Sequence, residues 1–210
     1  PGGTITRTVW TAPQRVASVW TGTDDTGATD SNPAGSGSPN NMVKVSENQY
    51  DGGGIGDGNL TQVTQYVSAT SGDTRVTSYG YDFRDRRTSM DGEVDVYAEY
   101  TYDNLDRMTQ TDQKDTTSAG NLIGRSQTAY DDRSRVYQQI VYAVDPSTGT
   151  VGNALTTNNW YDAGGLLITS IQAGAGIVSS KTAYNGMGCR PPRTPATTPP
   201  TTGPPPTAFP

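Results

Sequence analysis

The chain has 210 residues, of which 31% are hydrophobic and 17% are charged, and its formal net charge at neutral pH is −6. The negative charge disfavours a nucleic-acid interface, because phosphate binding requires clusters of basic residues, and no run of about 18 apolar residues is present to span a membrane. With no histidine and a single cysteine, Cys189, the chain cannot assemble a Ser-His-Asp or Cys-His catalytic group, an intrachain disulfide or a thiolate zinc site.

The first part of the chain is predicted to contain strands followed by a linker. Residues 1–21 are expected to form a short strand-like segment with two stretches, at residues 4–10 and 15–21, on either side of Pro13. Residues 22–41 consist almost entirely of Gly, Ser, Thr, Asp, Asn and Pro and are predicted to be a linker, since they offer little apolar surface to offset the entropy of ordering them. The chain starts at Pro1 without an initiator methionine or a signal peptide, so we expect an internal piece of a longer protein.

Residues 42–190 carry an internal repeat of about 27 residues per unit. Its marker is a Tyr-Asp dipeptide, and the last copy reads Tyr-Asn. With the tyrosine as position zero, Asp, Ser or Gly follows at position four, and Arg stands at position five in three copies. The predicted structural motif residues are Tyr50, Asp51, Tyr81, Asp82, Arg86, Tyr102, Asp103, Arg107, Tyr130, Asp131, Arg135, Tyr161, Asp162, Tyr184 and Asn185.

The spacing of the motif is typical of a hairpin turn. Asp is favoured at the first position of a type I turn, where its carboxylate accepts from the backbone N–H two residues on. Three residues later a hairpin loop often requires a left-handed backbone. Tyrosines alternate with small or polar residues before the turn, and strand-type residues follow it. Each unit is therefore predicted to be a strand, a tight turn and a returning strand, and the first copy, at Tyr50, fits only with a longer turn.

The arginines at position five are expected to connect neighbouring units. The guanidinium groups of Arg86, Arg107 and Arg135 are predicted to lie on a tyrosine ring of an adjacent unit or to form a salt bridge, with full solvation as the alternative. A hairpin of this size cannot bury its own apolar face, so stability is expected from contacts between neighbouring units, as in a solenoid. No segment has a sustained 3.6-residue apolar period, and we expect few or no helices.

The repeated pattern Y-x-Y-D-x-x-G-R resembles that of YD-repeat proteins, a family that includes rearrangement hotspot (Rhs) elements, wall-associated proteins, toxin-complex shell subunits and teneurins. The resemblance covers residues 42–190, is close at 81–86 and 102–107, and departs at the turn glycine, which is Asp85, Asp106 or Ser134. It implies an all-β fold of stacked β-hairpin repeats that form a spiralling sheet strip, part of a hollow shell.

The family resemblance also implies a function and a location. In the family the shell encloses a toxin payload or belongs to a large surface protein, so the chain is expected to be a non-catalytic structural segment of a secreted or cell-surface protein. The family's self-cleaving core region and its C-terminal payload have no matching motif in this sequence. The expected partners are the remaining repeats of the same longer chain, and carbohydrate or a C-terminal toxin payload.

Two other functions stay open. A carbohydrate- or surface-binding strip would use exposed aromatic rings, such as Trp160 or the pair Tyr100 and Tyr102. A carboxylate-pair glycosidase needs only two carboxyl groups at a suitable separation, but the sequence has no pocket-forming pattern. Trp10, Trp20 and Trp160 are expected to pack between sheet layers rather than to bind sugars.

No cofactor or metal site is predicted. The glycine-rich stretch at residues 52–58 matches neither a calcium-binding nonapeptide nor a dinucleotide-binding loop, and is interpreted as a flexible repeat turn.

The end of the chain breaks the repeat. The sixth unit matches the turn pattern as far as Gly188, but Cys189, Arg190 and a proline-rich sequence follow, and nine of the fourteen prolines lie in the last twenty residues. Such a tract cannot enter a sheet ladder. Residues 191–210 are therefore predicted to be a disordered proline-rich tail, and a frameshifted terminus that begins at Cys189 is the favoured explanation.

Overall fold

The structure, a computed structural model, describes residues 3–11, 14–68, 72–93, 96–174, 176–185 and 187–188. The predictions about residues 189–210 lie outside the described residues. Within the described ranges no helix is long and apolar enough to cross a membrane.

The described residues form one open antiparallel sheet in which strand order follows chain order. The only helical element among them is a single 3-10 turn at Asp51–Gly53. The predicted all-β fold of stacked hairpins in a sheet strip is therefore confirmed. The strands are β1 (Ile5–Trp10), β2 (Val16–Gly22), β3 (Val43–Tyr50), β4 (Leu60–Tyr66), β5 (Thr74–Tyr81), β6 (Arg87–Asp91), β7 (Val96–Tyr102), β8 (Met108–Asp115), β9 (Leu122–Tyr130), β10 (Val136–Asp145), β11 (Thr150–Tyr161), β12 (Leu167–Ala173) and β13 (Ile177–Lys181).

The turns of the predicted motif all lie at the same end of the strands. Successive connections of an antiparallel meander alternate between the two ends of its strands. The motif turns connect β3 to β4, β5 to β6, β7 to β8, β9 to β10 and β11 to β12, so they all lie at one of these two ends. The connections at the opposite ends of the strands vary more in length. This arrangement brings equivalent positions of neighbouring units next to each other.

The sheet has very little buried core. Among the described residues the buried hydrophobic side chains are Met42 and Ala98, and the buried polar ones include Ser18 and Asp112. A single sheet layer buries little apolar surface, so cross-strand pairs and contacts between units must stabilise it.

The prediction that the tryptophans pack between sheet layers is wrong. The described strands form a single layer, and Trp10 and Trp160 are 58% and 46% exposed. Trp20 instead donates its indole N–H to Ser18 Oγ at 2.9 Å, with the Lys44 ammonium 5.3 Å from the ring centre. The sequence pattern identified strand positions correctly, but it could not reveal that a second layer was missing.

The segment predicted to be a linker forms a loop between β2 and β3 that is held by specific contacts. Asn41 accepts from the backbone N–H groups of Thr23 and Asp24 at 2.8 Å each. Arg7 on β1 donates to Asp25 at 2.7 Å. Polar side chains thus supply the interactions that the apolar-poor sequence lacks.

Thr116 is held in a backbone conformation that its side chain disfavours. It lies in the connection between β8 and β9 with a φ of 57°, where a β-branched residue carries strain of about 1–3 kcal/mol. We expect Thr116→Gly to raise the free energy of unfolding by about 1 kcal/mol, because relief of the strain outweighs the greater entropy of glycine in the unfolded chain. Urea unfolding measures the change. Thr117→Gly is the control, because the neighbouring Thr117 does not have a positive φ. An equally large gain in stability from Thr117→Gly would contradict the explanation.

Candidate functional site

Every motif tyrosine connects its unit to the preceding unit. Its hydroxyl donates to the backbone carbonyl of the residue that begins the second strand of that unit, at 2.7–3.1 Å. The predicted tyrosines therefore occupy one equivalent position along the sheet. The pairs are Tyr50 with Val16, Tyr81 with Leu60, Tyr102 with Arg87, Tyr130 with Met108, Tyr161 with Val136 and Tyr184 with Leu167.

The aspartate at position one organises the turn, and Asp103 illustrates how. Its Oδ1 accepts from the backbone N–H of Leu105 at 2.8 Å and of Arg107 at 3.0 Å. Its own N–H donates to the Arg107 carbonyl at 3.0 Å, and the Asp106 N–H donates to its carbonyl at 3.2 Å. Asp82 and Asp131 make the same contacts.

Position four has a left-handed backbone in every copy with a short turn. This is a type I turn followed by a left-handed residue, and the resulting bulge agrees with the register shift beside each motif tyrosine. The prediction of a left-handed residue three positions after the aspartate is confirmed. The φ values are 59° at Asp85, 62° at Asp106, 60° at Ser134, 90° at Gly165 and 73° at Gly188.

The arginine at position five joins two units, and Arg107 shows all of its contacts. Within its own unit, Nε donates to Asp103 Oδ2 at 2.7 Å. Across to the next unit, Nη1 donates to the Asp131 carbonyl at 3.1 Å and to Ser134 Oγ at 3.2 Å. The guanidinium carbon lies 4.8 Å from the centre of the Tyr130 ring. The arginine therefore forms both interactions that the sequence suggested, a salt bridge and a ring contact.

Two other arginines repeat this arrangement. Arg86 pairs with Asp82 and lies 5.0 Å from the Tyr102 ring centre. Arg135 pairs with Asp131 and lies 4.6 Å from the Tyr161 ring centre. We use the term junction for the contact of one unit's arginine and aspartate with the tyrosine and turn of the next unit.

Hydrogen bonding keeps the aspartates of the junctions ionised. At Asp82 and Asp131 the hydrogen bond from the arginine of the same unit is the largest cause of a lowered pKa. At Asp103 burial acts to raise the pKa, but the hydrogen bonds from Arg107 and from backbone amides outweigh it, and the pKa is lowered. Charged acceptors of this kind make stronger hydrogen bonds than neutral ones.

The other motif copies keep the tyrosine contact without the arginine. Asp51 caps a longer turn, in which its Oδ1 accepts from Gly58 and Asn59 N–H at 2.9 Å each. Asn59 then donates to Asp85 of the next unit at 2.6 Å. Asp162 accepts from the N–H of Leu166, which stands at position five. The expectation of a longer turn in the first copy is confirmed.

A further unit, which the sequence analysis missed, precedes the first predicted copy. Trp10 pairs with Val16 beside a register shift, as the motif tyrosine of each short turn within the sheet pairs with the residue at position six. Gln14, at position four, has a φ of 42°. Arg15, at position five, lies 4.5 Å from the Tyr50 ring centre. The aromatic residue, the arginine five residues later and the valine after it are visible in the sequence, but the Tyr-Asp dipeptide that marks the other units is absent here.

The missing aspartate of this first unit leaves a polar atom without a partner. Position one is Thr11, and the buried Arg15 Nε has no hydrogen-bond partner among the described residues. The Thr11 N–H donates to the Arg15 carbonyl at 2.8 Å, as the N–H of the aspartate at position one donates to the arginine carbonyl in the other units that have the arginine. An aspartate at position 11 is thus placed to accept from Nε.

We expect Thr11→Asp to raise the free energy of unfolding by about 1 kcal/mol, because it adds a charge-assisted hydrogen bond to a buried donor. Urea unfolding of the whole chain measures the gain. Thr11→Asn, which has nearly the same shape but no charge, should gain less. If Thr11→Asp stabilises an Arg15→Gln variant to the same extent, the hydrogen bond is not the cause.

The aromatic rings considered for sugar binding are largely engaged in the sheet. The Arg87 guanidinium lies 5.2 Å from the Tyr100 ring centre, and Arg86 covers Tyr102. Trp160 remains 46% exposed. Among the described residues no group of three or more Asp, Glu or Cys side chains is placed to hold a metal ion.

Comparison with known proteins identifies the fold. No family model matches the chain, and no curated protein matches it. A chain in the crystal structure of TcdB2-TccC3-Cdc42 aligns with a TM-score of 0.58 and 12% identity, over 88% of this chain and 9% of that chain. The described residues therefore have the same fold as part of that toxin-complex chain. The resemblance inferred from the repeat is thereby confirmed at the level of the fold.

Two further toxin-complex structures align less closely. TcdB2-TccC3 without its hypervariable C-terminal region has a TM-score of 0.41 at 13% identity, over 86% of this chain and 12% of that chain. A Photorhabdus luminescens Tc holotoxin pore has a TM-score of 0.32 at 13% identity, over 87% and 12%. The chain spans about a tenth of the length of the solved chains it matches.

Proposed function

We propose that the chain is a non-catalytic structural segment of a larger YD-repeat protein, in which it forms part of the wall of a shell. The observation that carries the proposal is the tyrosine contact, which recurs at six successive positions along the sheet. Among the described residues the strands contact chiefly the strands next to them in the chain, so the same contacts extend the sheet as units are added. The shell would enclose a toxin payload or belong to a surface protein.

The state of the motif carboxylates supports a scaffold over an enzyme. A carboxylic acid that donates a proton in catalysis needs a raised pKa. Asp82, Asp103 and Asp131 have lowered pKa values, and each is engaged by its own arginine and by backbone amides. The side chains that the motif repeats are thus used to hold units together.

Carbohydrate binding is the second candidate, and one observation favours it. Trp160 and Tyr137, 46% and 43% exposed, offer aromatic surface of the kind that stacks on sugars. A glycan array with the whole chain tests this candidate. The scaffold proposal predicts no binding above that of the Trp160→Ala and Tyr137→Ala variants, whereas specific binding that is lost in Trp160→Ala would contradict it.

The shell itself can be tested on the longer protein that contains this segment. Electron cryomicroscopy is expected to reveal a hollow shell with this segment in its wall. A compact particle without a cavity, or an extended fibre, would contradict the proposal.

A further inference from the structure

We propose that the free edge of β1, together with Trp10, is the receiving half of another junction, and that its partner is a YD-type hairpin with an arginine at position five. The inference rests on the proposed function, because the partner is a further repeat unit. It adds the chemistry by which that unit is recognised: a guanidinium on an indole ring.

Trp10 occupies a position at which the ring is covered in other units. In four contacts between units a guanidinium of the preceding unit lies 4.5–5.0 Å from the centre of the ring at position zero. Trp10 has the same pairing to position six, yet it is 58% exposed. Tryptophan is the most favourable aromatic partner for a cation. The rings covered in this way are Tyr50, Tyr102, Tyr130 and Tyr161.

The first unit also has hydrogen-bond acceptors at the two positions that the arginine of a preceding unit contacts. The arginine of a preceding unit donates to the carbonyl at position one and to a side-chain oxygen at position four, as Arg107 does. In the first unit these positions are Thr11, which supplies a carbonyl, and Gln14, which supplies an exposed amide oxygen on a left-handed backbone.

The indole also replaces the hydroxyl of the motif tyrosines. Each of those hydroxyls donates to a backbone carbonyl of the preceding unit. The indole N–H is likewise a donor and not an acceptor, so Trp10 also offers a hydrogen-bond donor at position zero.

The backbone of β1 can pair with a further strand. This strand pairs with β2 on one side, and its other side has no strand partner in the described sheet. An edge strand presents N–H and C=O groups that serve as a template for another strand. The edge and the ring at position zero are therefore both available to the same hairpin.

A graft built from the chain's own sequence tests the proposal. Residues 96–121 contain β7, its motif turn with Arg107, and β8, and are placed directly before Gly2 in the whole chain. The last residue of the graft then stands nine residues before Trp10, just as residue 121 stands nine residues before Tyr130 in the original sequence. Trp20→Phe and Trp160→Phe, also introduced into the chain without the graft, leave Trp10 as the single tryptophan.

The expected result is that the graft lowers the acrylamide quenching of Trp10 by about twofold, since one face of a half-exposed ring becomes covered, and raises the melting temperature. Replacing the grafted copy of Arg107 with Gln should restore much of the quenching and reverse part of the thermal gain. In the grafted chain Trp10→Tyr should keep the thermal gain and Trp10→Ala should lose it.

Other outcomes would overturn the proposal. These are unchanged quenching in the grafted chain, equal protection in the arginine-to-glutamine graft, or protection of Trp10 in the ungrafted chain by an oligosaccharide. None of these outcomes bears on the contacts that Arg107 makes at its native position. Failure of this proposal is therefore distinguishable from failure of the scaffold proposal.

Discussion

Replacing Tyr130 with alanine is expected to lower the free energy of unfolding by about 3 kcal/mol, whereas Tyr130→Phe should cost about 1 kcal/mol. The ring lies under the Arg107 guanidinium, and the hydroxyl donates to the Met108 carbonyl at 3.0 Å. Phenylalanine removes only the hydrogen bond, but alanine also removes the ring that connects two units. Urea unfolding of the whole chain measures both changes.

A double-mutant cycle separates the ring contact from general packing. Tyr130→Ala and Arg107→Gln should be non-additive by about 1 kcal/mol, because each removes one half of the same contact. Tyr137→Ala is the matched control, since this tyrosine is 43% exposed and makes no junction contact; its cost should be about 0.5 kcal/mol or less. Equal costs for Tyr137→Ala and Tyr130→Ala would refute the special role of position zero.

Acidification is the second change with a large expected effect. The pKa values of Asp82, Asp103 and Asp131 are lower in the folded chain than in the unfolded chain. Their stabilisation is therefore fully present above the unfolded pKa, near pH 4, and is lost as the pH falls through the folded pKa values. The melting temperature should fall steeply between about pH 4 and pH 2, and change little between pH 5 and pH 7, where a chain without histidine has few titrating groups.

The source of this acid sensitivity can be checked by substitution. A triple variant with Asp82→Asn, Asp103→Asn and Asp131→Asn should be less stable at pH 6 and should lose a large part of the decline below pH 4. Glu47 and Asp145, whose pKa values are also lowered, account for part of the remainder. Asp132→Asn, at an exposed turn position, should leave the pH profile unchanged. An unaltered profile in the triple variant would exclude the junctions as the cause.

The sequence predicted the local structure of each unit well, because turn chemistry acts over a few residues. The aspartate at position one, the left-handed residue at position four and the position of the returning strand all follow from one type of turn. Arg107 was expected to contact either a tyrosine ring or a carboxylate, and it contacts both.

The contacts between units were harder to predict, because they depend on the register of strands that are distant in sequence. The target of the tyrosine hydroxyl is the carbonyl of the residue that begins the second strand of the preceding unit, and this position has no side-chain signature. Trp10 was overlooked because tryptophan and threonine replace the Tyr-Asp pair, although Arg15 stood at the expected distance. The packing of Trp160 was wrongly predicted because sequence periodicity does not reveal the number of sheet layers.

We expect the chain to behave as a linear array of units, each stabilised by contacts with its neighbours. Native-state hydrogen exchange of the whole chain with Arg107→Gln tests it most directly. We predict faster exchange for the amides of β7, β8, β9 and β10, on the two sides of that junction, and unchanged exchange for β2, β3 and β4. A uniform increase in exchange across all strands would contradict the account, because it would mean that one shared core, and not successive junctions, stabilises the sheet.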